Sequence, residues 1–272
     1  MKAPFLLLVY SMKRMRALVL ATGFLLAAFQ VLLVFVARSI QDSAGFEQLA
    51  ALLPPFAREL LGPSLTSVLS FGGIVCVGYF HVAVMGSLVA VSLGLAATPA
   101  SEIETGFIDL VLSRPLRRHW IVSRSILLLL LSIALLLGLM MAGTWAGLEA
   151  FAPASAPWPS ARLISSLALN LGFLMLAWSG VALAIACASR RRATAGAIAG
   201  LLALGAFLVD YAGRLWQPAE SIARLSPFRY YSPFDLVMGN PLPHKNLVVL
   251  AAIAAAGFAA AYVVFAHRDI AR

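Results

Sequence analysis

Six apolar runs decide what this chain can fold into. They cover about residues 17–37, 65–97, 121–143, 163–188, 193–213 and 247–266, and a helix needs about 20 apolar residues to cross a bilayer. A chain that is 62% hydrophobic and 11% charged cannot hide its apolar surface in one soluble core, so lipid has to be its solvent. The expected fold is an all-α integral membrane protein with six transmembrane helices, one transmembrane domain over residues 1–272.

Two runs carry qualifications in their own residues. The second is too long for a straight crossing and contains Gly72, Gly73 and Gly78, which predicts a tilt, a bend or an extension beyond the membrane. The apolar part of the fifth ends at Val209; Asp210 and Arg214 follow, with Tyr211 as an interface anchor. Its loss would leave five spans. Cys76 and Cys187 sit in different spans, a spacing that favours buried thiols over a disulfide or a metal pair.

Basic residues set the orientation, because positively charged loops stay in the cytoplasm. With both termini cytoplasmic, thirteen basic and four acidic residues fall on the inner side, and seven of each on the outer side. This is the pattern of a multi-pass protein of the cell (inner, cytoplasmic) membrane. The basic pI of about 10.3 then reflects contact with anionic lipid; no nucleic-acid motif is present. The opening "MKAPFLLLVYSMKRMR" suits a short interfacial helix leading into the first span, or equally an unstructured positive tail. The first span exceeds the roughly 7 to 15 residues of a signal-peptide core.

On the outer side, residues 38–66 predict two short helices around Pro54 and Pro55, and residues 144–162 predict a loop at headgroup level. Residues 211–246 form a longer segment rich in proline and aromatic residues. Phe228, Tyr230 and Tyr231 in it are expected to cap the exit of a pathway, the alternative being an interfacial aromatic belt.

Between the second and third spans lies "SEIETGFIDLVLSRPLRRHW", residues 101–120. Ser101 and Glu104 have the spacing of a capping box, which predicts a helix from about residue 102, ended by Pro115. Ile103, Phe107, Leu110 and Val111 then share a stripe opposite Glu102, Thr105 and Asp109. An anionic leaflet repels carboxylates, so this short amphipathic cytoplasmic helix fits a protein partner better than lipid, with Arg114, Arg117 and Arg118 at the headgroups. Phe107 is the expected anchor and Glu102 an exposed rim charge. A solvated connecting loop is the other reading.

Nothing in the sequence assembles a catalytic centre. The four histidines are scattered, no span carries paired carboxylates, and there is no metal site. A G-x-x-x-x-G-K-[ST] loop is also missing, so no ATP-binding cofactor site is expected in this chain, and it is not expected to be an enzyme. Gln30, His81 and Asn170 (among Ser165, Ser166 and Ser179) lie within spans as pathway contacts or interhelical hydrogen bonds, and Arg124 is placed to snorkel from the third span.

The stretch "SEIETGFIDLVLSRPLRRHWIVSRSILL" resembles the first cytoplasmic loop of six-span permease subunits of ATP-binding-cassette (ABC) exporters. "LSPFRYYSPFD" (225–235) is similar to the segment before that family's last span, and "FAHRDIAR" to its C-terminal ending. Where family members often carry a polar residue after the glycine, this chain has Phe107. The resemblance implies an exporter permease whose coupling helix contains Glu102, Glu104 and Gly106, with Ile103, Phe107 and Leu110 as docking side chains. It also implies a separate ABC ATPase subunit that binds ATP and Mg, and a second permease subunit, either another copy or a homologue. An ion-driven secondary transporter and, further off, a membrane-embedded enzyme are the competing classes.

The charge split generates a direct test. Cysteines placed at Ser155 and Asn240 are expected to react with a membrane-impermeant thiol reagent in intact cells, and one at Ala193 is not. Labelling at all three, or the inverse pattern, contradicts the six-span orientation.

Overall fold

The computed structural model describes residues 2–42, 70–112, 117–154 and 156–268. Among them the chain is helical and has no sheet. Six helical segments are long and apolar enough to cross a membrane, as a multi-pass membrane protein requires: Leu7–Gln41, Phe71–Ala96, His119–Phe151, Ala161–Ala188, Arg192–Leu215 and His244–His267. The expected helices of residues 38–66 fall mostly on 43–69, outside the described residues.

The first span is part of α1, a single helix over Lys2–Asp42. An interfacial helix joined to a separate span, or a loose tail, was the expectation. After Pro4, within the first turn, no proline interrupts the run and Gly23 lies deep in it, so the helix continues.

The second span is broken. Helix α2 (Phe71–Phe80) stops at His81, whose backbone is extended, and α3 (Val82–Ala96) resumes. The expected bend is therefore present, but it sits at His81 and not at a glycine.

Two short helices follow, α4 (Thr98–Glu104) and α5 (Phe107–Leu112). The third span, α6 (His119–Phe151), runs past the predicted end at residue 143. Thr144, Gly147 and Leu148 are buried, Gly147 closing against Val31 and Val34 of α1, so the predicted loop shrinks to residues 152–160. The fourth span, α7 (Ala161–Ala188), is the most buried; the fifth, α8 (Arg192–Leu215), is largely exposed. Despite Asp210 and Arg214 the fifth span forms, because these two pair with each other at 2.9 Å within one helix face. After short turns that include α9 (Glu220–Ala223) and α10 (Pro233–Val237), the last span is α11 (His244–His267).

The two most extensive pairings are α1 with α6 and α7 with α11. Both depend on missing side chains. A Cβ on Gly143 of α6 would lie 2.5 Å from the Ala27 carbonyl oxygen of α1, and one on Gly180 of α7 would lie 2.6 Å from the Ala254 carbonyl oxygen of α11. Lipid supplies no hydrophobic force between helices, so such close backbone approach is a main source of their attraction. Cys76 and Cys187 are free and buried.

Overpacking gives the corresponding prediction. Gly143→Val and Gly180→Val are each expected to lower stability by about 1–3 kcal/mol or more. Gly86→Ala in α3, where an added Cβ meets nothing within 4 Å, is expected to be near neutral. Thermal melting in one detergent compares the three; equal effects would contradict the pairing.

Candidate functional site: the loop between the second and third spans

The predicted single helix of residues 102–114 is two helices meeting at Gly106. The first starts at Thr98, with Pro99 in its opening turn, where a missing amide costs nothing. Ser101 therefore lies inside α4, buried, and caps nothing; the Thr98 hydroxyl donates to the Leu95 carbonyl at 2.6 Å. The helix ends because Gly106 takes a left-handed conformation (φ 70°) that side chains resist, with its amide donating to the Ile103 carbonyl at 3.1 Å. Residues 113–116, including Arg114 and Pro115, lie outside the described residues.

Breaking the helix changes where its side chains go. Glu102 was expected on an exposed rim, yet it is buried. Its Oε2 accepts from Nη2 of Arg124 on α6 at 2.5 Å, and both side chains are only 3% exposed. Arg124 consequently does not snorkel. The signal was present in the sequence as one basic residue inside the third span and an acid in the preceding loop, but the helical wheel assigned the acid to water. Nε and Nη1 of Arg124 find no hydrogen-bond acceptor, which leaves the pair held by one strong bond.

Glu104 is exposed and reaches a different span. Its Oε2 accepts from the Arg192 amide at 2.9 Å, satisfying a free N–H in the first turn of α8, where a negative charge also suits the helix dipole. Phe107 is half-buried, its ring stacked on Tyr10 of α1 with centroids 5.8 Å apart. Ile103 packs partly against the core, Ile108 is fully buried, and Leu110 is 69% exposed. One short loop thus grips α6 through Glu102, α8 through Glu104 and α1 through Phe107.

At the opposite end, the segment after α8 folds back along that helix. The Ser226 hydroxyl donates to the Ala206 carbonyl at 2.9 Å, and Phe228 packs against Phe207 and Trp178, centroids 5.5 and 5.4 Å away. Phe228 and Tyr231 are buried; Tyr230 is half-buried and donates to the Arg224 carbonyl at 2.9 Å. Burial pushes the Tyr231 phenol well above its ordinary value, keeping it a donor.

Its acceptor explains the break in the second span. A continuous helix would bond the Ala83 amide to the Tyr79 carbonyl. Here the Tyr231 hydroxyl donates to that carbonyl at 2.6 Å, and the Ala83 amide donates to Nδ1 of His81 at 3.3 Å. Of the bonds lost at the break, this one has a substitute for each half, as an irregular backbone needs at membrane depth. His81 also meets the Phe29 ring edge-on at 5.7 Å. Below the break, α3, α8 and Phe228 enclose an apolar cleft of about 310 Å³ lined by Val82, Met85, Val89, Ala203 and Phe207. Gln30 and Asn170, also expected as pathway contacts or interhelical hydrogen bonds, are fully buried on α1 and α7, and their side-chain amides make no hydrogen bond.

No protein-family model, curated protein or solved structure matches the chain.

The Glu102–Arg124 pair yields a double-mutant cycle. Glu102→Gln or Arg124→Met alone strands a buried charge and is expected to cost about 3–5 kcal/mol. Glu102→Gln with Arg124→Met is expected to cost less than either single change. Melting of the four proteins in detergent measures the coupling, and additive losses would show that the two side chains act separately.

Proposed function

We propose that the chain is the membrane-spanning permease of an ATP-driven transporter, an exporter by its resemblance, taking its mechanical input from a separate ATPase subunit docked on the loop of residues 98–120. The observation that carries this reading is the threefold grip of the loop on α6, α8 and α1. A loop that merely connects two spans has no need of a buried ion pair to one helix and a capping bond to another. Force applied to it by a docked partner reaches three spans at once.

The partner hydrolyses ATP with Mg, and the permease contributes no catalytic group. Phe107 and Leu110 present apolar surface to the partner, and Glu104 and Thr105 are exposed beside them. Movement of the loop tilts α6 and α8, which changes the width of the cleft between α3 and α8. The apolar lining of that cleft fits a hydrophobic or amphipathic cargo. The folded-back segment around Phe228, Tyr230 and Tyr231 closes the other end, and the hinge at His81 lets α2 and α3 move separately. A second permease, the same chain or a homologue, completes the pathway.

Affinity-tagged permease recovered from its own cells tests the reading. The wild type is expected to bring down an ATPase with a phosphate-binding loop. Phe107→Asp is expected to lose it while keeping its melting temperature within a few degrees. Tyr10→Ala removes the stacking partner but leaves the loop surface intact, and is expected to retain the ATPase. Full recovery with Phe107→Asp, or flux that follows an ion gradient without ATP, contradicts the proposal.

A further inference from the structure

Where α6, α7 and α11 end on the basic side of the molecule, two arginine side chains bond into one junction and a third arginine adjoins it in sequence. Arg118, just before α6, donates from Nη1 to the Arg268 carbonyl at 2.9 Å. Arg268, just beyond α11, donates to the carbonyl of Cys187 and, at 2.9 Å, to that of Ser189, both at the end of α7. Arg190 follows in the turn from α7 to α8, and its charge acts on Arg268. Among the residues whose side chains are described, which exclude Asp109 and Asp269, no carboxylate pairs with any of the three. Glu102 is already held by Arg124, and Glu104 by the Arg192 amide.

Arg118 and Arg268 therefore bring like charges to one junction, where their hydrogen bonds go to backbone carbonyls that do not neutralise them, and Arg190 adjoins the Ser189 carbonyl that Arg268 takes. Burial pulls the Arg268 guanidinium below its ordinary value; the Arg190 charge pulls the same way, against an opposing effect of the Cys187 side chain. A bound anion would relieve both penalties. The surroundings say which kind. The Ser123 and Tyr262 hydroxyls, 2.7 Å apart, tie α6 to α11 beside the cluster. Trp120 and Val263 are exposed within about two turns of it, giving an aromatic ring and an apolar flank where a span meets its headgroup layer.

We propose that Arg118, Arg190 and Arg268 form a site for the phosphate of an anionic phospholipid, whose acyl chains lie against the Trp120 and Val263 flank of α6 and α11. Guanidinium forks match phosphate oxygens in geometry and charge, and basic pockets between spans are known takers of anionic headgroups. Free phosphate shares the head chemistry but has no use for the apolar flank. The bound lipid bridges the loop before α6, the α7–α8 turn and the C-terminal end. The site depends on the membrane-spanning fold and not on the proposed ATPase.

Native mass spectrometry of the full chain, released from detergent with phosphatidylglycerol or phosphatidylcholine added, tests the site. The wild type is expected to retain phosphatidylglycerol preferentially. Arg118→Gln/Arg190→Gln is expected to reduce that preference on the order of tenfold, with melting in phosphatidylcholine unchanged. Arg268 is left intact because it holds the end of α7. If the double variant does not fold, Arg190→Gln alone, in an exposed turn, is expected to lose several-fold. An unchanged lipid preference in the folded variants overturns the site, and doing so together with loss of a co-purifying protein assigns the arginines to an acidic protein surface. Displacement of the lipid by inorganic phosphate alone also overturns it, in favour of a free anion.

Discussion

In hydrocarbon no water stands ready to satisfy a stranded charge or a broken helix, and the organisation of this protein follows from that constraint. Arg124 inside the third span needs an anion, and the loop that precedes it supplies Glu102. At the break around His81 the Tyr79 carbonyl needs a donor and the Ala83 amide an acceptor; Tyr231 provides the first and the imidazole the second. Each repair fixes a connecting segment against the spans. The same requirement that makes the polar groups costly makes the loops at both ends structural parts of the bundle.

Two ends are thereby linked through the second span. Tyr79 lies at the centre: its carbonyl accepts from Tyr231, and its hydroxyl lies 3.0 Å from that of Thr144 on α6. Helix α6 in turn carries Arg124 towards its other end. In the proposed mechanism a tilt of α6 started at Glu102 reaches the Tyr79 contact, and with it the segment that folds back over the cleft.

The spans were legible because length and apolarity alone define them, and Ala161–Ala188 begins and ends within two residues of its predicted limits. Tertiary packing set what the runs left open. Thr144, Gly147 and Leu148 read as the start of a headgroup-level loop rich in Pro, Ala and Trp until the fold buries them, with Val31 and Val34 of α1 closing on Gly147 and the Tyr79 hydroxyl meeting that of Thr144. The loop between the second and third spans was legible as a special segment, with its acids and its Phe107, but not in its geometry. A helical wheel assumes one unbroken helix, and Gly106 in the left-handed region breaks it. Opposite charges 22 positions apart carry no local pattern, so the burial of Glu102 against Arg124 could be seen only once the fold had brought them together. Tyr231 was picked out as an aromatic cap residue; that its hydroxyl replaces a helix bond depends on the break at His81, which no glycine or proline announces.

The central claim is that the loop drives the spans through the buried Glu102–Arg124 pair. Spin labels at the exposed positions Thr105 and Tyr211, on the loop and near the far end of α8, report the distance between the two ends in membranes that also contain the proposed ATPase partner. The account predicts a distance change on adding ATP and Mg that is lost in a folded Glu102→Gln/Arg124→Met protein although the partner still binds. A change of the same size with the pair removed, or no response to nucleotide in the wild type, would contradict it.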